Sequence, residues 1–219
     1  YLEQKGKRSY NFVRLALQRE GAVAKAKRRG AHRRKRERKP LIGMMLHQDG
    51  SRHAWLRGQQ HDLIVTLDDA TGAIYSAFLV DEEDTMSSFM GVAEVIARHG
   101  LFNSLYTDRG SHYWHTAHAG GKVDRVNLTQ FARAMAQLGI DMIAAYSPQA
   151  RGRSERANRT IQGRLVNELR VAGIRTVAKA NAYLREKFQP SYDAAFSRAP
   201  ADSRSAFVPF GRCDLHQYL

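Results

Sequence analysis

From Leu41 onward, short apolar runs closed by turn residues give way to apolar stripes at helical spacing, and that order narrows the folds open to the chain. Gly43 to Gln48 is a short apolar run. His61 to Leu67 is rich in Leu, Ile and Val and ends in Asp68-Asp69-Ala70-Thr71-Gly72, a turn sequence. Ala73 to Val80 follows at once and alternates as a strand does. These runs predict three consecutive antiparallel strands. Asp84 then stands as the N-cap of a helix with Phe89, Val92, Ala93 and Ile96 on one face, closed by Gly100. Ser104 to Thr107 predicts a brief strand, and Thr116 to Asn127 a polar, glycine-containing loop. Leu128 to Leu138 predicts a helix with Phe131, Met135 and Leu138 on one stripe, stopped by Gly139. Asp141 to Tyr146 reads as a strand and Ser147 to Gly152 as a loop. Ser154 to Val171 reads as a helix whose apolar face is Ala157, Ile161, Leu165 and Leu169. Three strands, helix, strand, helix, strand, helix demand an α/β fold: a mixed five-stranded sheet flanked by helices. A further helical stretch spans about Ala178 to Phe188, ahead of a Pro/Ser/Arg/Ala segment. At the other end, Ser9 to Arg19 predicts a short helix with Ser9 as its N-cap and Gly21 beyond it.

Charge divides the chain at the same boundary. Residues 1–40 hold 15 Lys/Arg and 3 acids, whereas residues 41–219 hold 20 and 18, within a total of +14. A nearly neutral body follows a basic helical arm, whose densest run is Arg33-Arg34-Lys35-Arg36. Such an arm is either a solvated tail or a contact for a densely negative partner, and a phosphate backbone is the commonest of those. With 43% hydrophobic residues the chain is not a disordered polycation. One cysteine, Cys213, excludes a disulfide framework and predicts an intracellular setting. No apolar run is long enough to span a bilayer, and no apolar stretch marks a signal peptide. A first residue of Tyr rather than Met suggests a segment of a longer product.

Three acids occupy informative positions. Asp49 ends the first apolar run, Asp108 follows the fourth strand, and Glu155 begins the long helix. Strand ends in such sheets converge on one edge, where ligands collect. Carboxylates gathered there repel one another unless a divalent cation lies between them, and hard oxygen ligands suit Mg²⁺ or Mn²⁺. Two such ions, about 3.5–4 Å apart, can activate an attacking oxygen and stabilise a leaving one at a phosphodiester. Helical spacing sets Glu155, Asn158, Arg159 and Gln162 opposite Ala157, Ile161 and Leu165, with Arg151, Arg153 and Arg156 beside them. The alternative is a surface helix with Glu155 and Arg159 as an i,i+4 ion pair.

The blocks Leu46-His-Gln-Asp49-Gly-Ser, Leu105-Tyr-Thr-Asp108-Arg-Gly-Ser and Tyr146-Ser-Pro-Gln-Ala-Arg-Gly-Arg-Ser-Glu155-Arg-Ala-Asn-Arg resemble the catalytic core of DDE transposases and retroviral integrases. Val65-Thr-Leu-Asp68-Asp69-Ala-Thr-Gly is similar to that family's second strand and turn. The resemblance covers residues 41 to 171 and is nearest to bacterial insertion-sequence transposases of the ISNCY group. It implies an RNase H-like fold with Asp49, Asp108 and Glu155 as catalytic and metal-binding residues, two Mg²⁺ (or Mn²⁺) ions, and DNA as substrate. It further implies hydrolytic release of a 3′-OH at the transposon end, attack of that hydroxyl on target DNA, and a homo-oligomer on paired DNA ends. Residues 1–24 resemble the end of a helix-turn-helix region, 25–40 form a basic linker, 41–172 the core and 173–219 a C-terminal helical extension. Arg28, Arg29, Arg33, Arg34, Lys35, Arg36, Lys122, Arg151, Arg153, Arg156 and Arg159 are the candidate DNA contacts, most of them positioning the backbone rather than reading sequence. Arg109, His112 and Asn158 are candidates for a supporting shell around the acids. The implied setting is a bacterial cytoplasm, in association with the nucleoid. The sequence departs from the family in two places. The 46 residues between Asp108 and Glu155 exceed the common spacing, which a surface insertion over His115 to Asn127 accommodates, and Arg109 stands where many members have Asn.

Other residues compete for these roles. Asp68 and Asp69 could rival Asp49 as ligands, but their setting is a turn. His112, His115 and His118 fit no common zinc spacing. Trp55 and Trp114 are either base-stacking platforms or buried anchors. Two other functions stay open on the same residues: a catalytically silent, transposase-derived DNA-binding regulator, and an RNase H-type nuclease.

Overall fold

The structure is a computed structural model that describes residues 9–24, 36–118, 121–146, 152–211, 215 and 218–219. The chain divides into two units, Tyr1–Arg36 and Glu37–Leu219. In the first, α1 spans Tyr10–Arg19, and the Ser9 hydroxyl accepts the Phe12 N–H at 3.2 Å as its cap. None of its residues is buried.

In the second unit the predicted order is realised. The strands are β1 (Leu46–Leu56), β2 (Gln59–Asp68), β3 (Ile74–Val80), β4 (Ser104–Thr107) and β5 (Asp141–Ala144), in the order β3-β2-β1-β4-β5. The helices α2 (Thr85–His99), α3 (Gln130–Gln137) and α4 (Ser154–Val171) follow β3, β4 and β5 respectively. β1, β2 and β3 pair antiparallel, and β4 and β5 add parallel to β1. Asp84 caps α2 in a reciprocal capping box with Ser87, and Gly100 leaves it with φ +96°. Thr129 caps α3 by accepting the Ala132 N–H, without a reciprocal bond.

β1 is longer than its apolar run suggested. It continues through Gly50-Ser-Arg-His to Leu56 and turns into β2 across Arg57-Gly58, with Gly58 at φ +75°. Asp49 therefore lies inside a strand rather than at its end. The polar stretch is held by eight consecutive pairings with β2, from Leu46–Asp68 to His53–His61, which no local propensity signals.

Each face of the sheet carries its own core. Leu46 and Leu105 pack with Phe89, Val92 and Ile96 of α2 and Phe131 and Met135 of α3. On the opposite face Leu63, Val65 and Leu67 pack with Ala157, Ile161, Leu165 and Leu169 of α4. α5 (Val177–Tyr183) and α6 (Gln189–Phe196) extend that second core, joined by a π-helical turn over Leu184–Phe188. The segment after Phe188 is thus helical, although Pro190 suggested otherwise. Proline is tolerated in a first helical turn, and the wide turn before it resets the hydrogen-bond ladder. This extension closes the outer edge of β3. Asn181 Oδ1 accepts the Leu79 N–H at 2.7 Å, its Nδ2 donates to the Leu79 carbonyl at 3.0 Å, and Asp193 Oδ1 accepts the Ile74 N–H at 2.9 Å.

The chain then returns across the sheet. Ser205 forms a bridge to Ile42, Leu101 and Val208 exchange both backbone hydrogen bonds, and the Phe207 ring covers Gly43. Trp55 and Trp114 are buried anchors. Their indole N–H groups donate to the Ser51 carbonyl and the Thr107 hydroxyl, both at 2.9 Å. Among the described residues no helix is long and apolar enough to cross a membrane.

Candidate active site

β1 and β4 run parallel with Leu46 beside Leu105 and His47 beside Tyr106. Continued two residues beyond that pairing, the register would set Asp49 level with Asp108, on the face that carries His47 and Tyr106, whose rings lie 5.0 Å apart. Asp49 is 5% exposed, whereas Asp108, just past the end of β4, is half-buried. Asp108 Oδ1 accepts the Gly110 N–H at 2.8 Å, which fixes the carboxylate against its own turn. A Cβ at Gly110 would lie only 3.1 Å from that oxygen and 2.8 Å from the His112 ring.

α4 lies along the same face of β1. Asn158 Nδ2 donates to Asp49 Oδ2 at 3.0 Å, and one turn on, Gln162 Nε2 donates to the Ser51 hydroxyl at 2.9 Å. Asn158 and Gln162 thus flank the buried stripe and meet β1, instead of facing away from it as helical spacing alone suggested. Glu155 is exposed in the first turn of α4. The three acids are not drawn into one ligand cluster: among the described residues, no group of three His, Cys, Asp or Glu side chains stands close enough to hold a metal ion. Asp49 is held by Asn158, and Glu155 stays in solvent one turn before Asn158.

The residues nevertheless suit a hard divalent cation. Beside Asp49, the Asn158 Oδ1 atom is buried and accepts no hydrogen bond. An unsatisfied buried oxygen next to a carboxylate is a donor set of the kind that Mg²⁺ and Mn²⁺ prefer.

Other candidates take different places. His112 stacks on the Tyr113 ring at 4.0 Å, with its Nε2 3.4 Å from Glu83 Oε1. In the sequence Glu83 stands within the acidic run Asp81 to Asp84, where negative charge suits the start of a helix; a Cβ at Gly50 would collide with its carboxylate, so the glycine after Asp49 leaves room for it. The buried Tyr113 hydroxyl, whose proton burial holds well beyond the ordinary tyrosine range, donates to Gln48 Oε1 at 2.9 Å. Arg109 donates to the Gly121 carbonyl at 2.6 Å, with its guanidinium 5.2 Å from the centre of the Tyr146 ring.

Among the candidate DNA contacts, Arg36, Lys122, Arg156 and Arg159 are exposed. Arg153 is instead engaged by Asp69, at 2.6 Å. Arg28, Arg29, Arg33, Arg34, Lys35 and Arg151 lie outside the described residues. Asp68 and Asp69 do occupy a turn, but both carboxylates are wholly buried. Asp68 accepts the Gly43 and Thr71 N–H groups and the Thr71 hydroxyl. Burial raises its pKa, and those three donors oppose the shift.

No family model matches the chain. It is 35% identical over 185 residues to a transposase-named protein, y4bF, of Sinorhizobium fredii, and 36% identical over 155 residues to the transposase for insertion sequence IS1202 of Streptococcus pneumoniae. Those matches cover 84% and 70% of this chain but 40% and 33% of the relatives, so the chain spans less than half of each. Among solved structures, it aligns with a chain of the simian T-cell lymphotropic virus intasome bound to the PP2A regulatory subunit B56 gamma, at TM-score 0.55 and 20% identity. That alignment covers 72% of this chain and 54% of the other. The HTLV-2 integrase catalytic core domain in complex with magnesium aligns at TM-score 0.50 and 16% identity, covering 67% of this chain and 88% of that one. The fold is that of these catalytic cores, RNase H-like.

Proposed function

We propose that this chain, a member of the DDE transposase and retroviral integrase superfamily, is the catalytic part of a DNA transposase that cuts and rejoins DNA strands with divalent metal. The observation that carries the reading is the β1–β4 register. Continued two residues past His47 and Tyr106, it would set Asp49 level with Asp108 on one face, beneath a helix whose Asn158 holds Asp49.

Asp49 and Asp108, with the Asn158 carbonyl oxygen beside them, would hold Mg²⁺ or Mn²⁺. Glu155 would join by turning inward from the first helical turn. When bound, a pair of such ions activates an oxygen nucleophile and offsets charge on the leaving oxygen. The chain's own residues do the rest. Asn158 orients the Asp49 carboxylate, and the Gly110 N–H orients that of Asp108. Exposed Arg156 and Arg159 on α4 meet phosphates of the bound strand, and the basic arm from Arg28 to Arg36 lengthens that contact. In the first reaction water adds to phosphorus and the 3′ oxygen leaves, taking a proton to become a free 3′-OH. In the second that hydroxyl attacks a phosphodiester of target DNA, so one ester bond forms as another breaks and no outside energy is needed.

Paired DNA ends and a multimer of this chain belong to the same reading. The test is Glu155→Gln in an oligonucleotide strand-cleavage assay with Mg²⁺. Loss of cleavage with DNA binding retained is the expected result, and undiminished cleavage would overturn the assignment of Glu155.

A further inference from the structure

One of the two wholly enclosed carboxylates among the described residues lies beside the candidate site and has no part in the reaction described above. Asp69 is 0% exposed. Its Oδ1 contacts His47 Nε2 at 2.7 Å and Arg153 Nη1 at 2.6 Å, and its Oδ2 accepts the Lys39 N–H at 2.7 Å. The turn does not need this side chain, because Asp68 supplies the side-chain acceptor for the Thr71 N–H and hydroxyl, and its carbonyl accepts the Gly72 N–H. The Asp69 carboxylate points elsewhere, to two elements at once. His47 stands two residues before Asp49 on the same face of β1. Arg153 stands two residues before Glu155, at the N-cap position of α4, where its side chain makes no capping hydrogen bond. This contact fastens the start of α4 to the sheet. Asn158–Asp49 and Gln162–Ser51 continue the same seam along β1.

We infer that Asp69 is a positioning residue: by locking Arg153 to His47 it sets the first turn of α4, and with it Glu155, against Asp49. The inference rests on the reading of Asp49, Asp108 and Glu155 as metal ligands. A side chain that orients ligands without touching the ion changes metal affinity by about 10- to 100-fold when removed.

The experiment titrates Mn²⁺ alone into the 219-residue chain by calorimetry, in parallel with thermal melts and strand-transfer rates as a function of Mn²⁺ concentration. Asp69→Asn and Arg153→Gln are each expected to weaken Mn²⁺ binding by about tenfold or more. Strand transfer in both should recover toward the parental rate at saturating metal, a separation that general loosening of the fold does not produce. Arg153→Lys, which keeps the charge, should restore most of the affinity. Arg153 is 12% exposed at a helix start, so Arg153→Gln decides the matter even where Asp69→Asn does not fold. Parental Mn²⁺ affinity in folded Arg153→Gln, with affinity lost in Asp49→Asn, overturns the positioning role alone. Parental affinity in Asp49→Asn as well overturns the metal reading itself, and the inference with it.

Discussion

Two pairs of acids lie within a few residues of one another in this fold and behave in opposite ways. Asp68 and Asp69 are wholly enclosed, with backbone and side-chain donors on their oxygens. Asp49 is nearly as buried, with Asn158 donating to its Oδ2, but Asp108 is half-buried and Glu155 is in solvent. A carboxylate wholly enclosed among donors is closed to a cation, whereas one that reaches solvent, as those of Asp108 and Glu155 do, can exchange water for metal and substrate.

That contrast can be broken from either side. The largest effect is expected on catalysis. Asp49→Asn or Asp108→Asn should lower Mg²⁺-dependent strand cleavage by roughly a thousandfold, the several kcal/mol that metal-held charge contributes to a transition state, while the melting temperature stays near the parent's. Next comes the enclosed pair. Asp69→Ala leaves Arg153 and His47 facing an interior without their anion, and urea denaturation should show a loss of about 3–5 kcal/mol. A smaller effect is expected from Gly50→Ala, which drives the Glu83 carboxylate from its place against the residue next to Asp49. The colliding group is the end of a flexible side chain, so the melting temperature should hardly move. Cleavage should nonetheless fall by about tenfold, as small displacements near reacting groups do.

The smallest effect is expected at Asp193, which is half-buried, accepts one N–H and has its pKa raised by burial. At pH below the ordinary carboxylate value, folded and unfolded chains are both protonated there and Asp behaves like Asn. As pH rises through the raised value, the folded state must bury the charge and stability is lost. Asp193→Asn keeps the acceptor, so its melting temperature should exceed the parent's at pH 7 and converge with it near pH 3.

Much of this was legible in the residues alone. Helix α4 and strand β4 fall where periodicity and turn residues put them, because both express a local rule: an apolar stripe at helical spacing, and a short apolar run between turns. What escaped was set by distant partners. The second half of β1 is polar and is a strand only because β2 lies against it. Asn158 and Gln162 face β1 because the strand offers Asp49 and Ser51 to them, which a helical wheel cannot know. The turn at Asp68-Asp69 was readable as a turn. That one of its two acids reaches across to α4 was not, since 84 residues separate Asp69 from Arg153. Glu83 was readable only as part of an acidic run before α2, since its place against Gly50 depends on a side chain that glycine lacks.

The return of residues 205–208 onto Ile42 and Leu101 has a kinetic consequence. The segment leading into β1 and the one leading into β4 are both tied down by residues more than a hundred positions further along. Contacts of such sequence separation form late, since the loop entropy is lost before the contact is gained. A nascent chain already long enough to have made every acid of the site must therefore wait for these residues before the base of its central strands is closed. The body is closed only after synthesis has run well past Glu155.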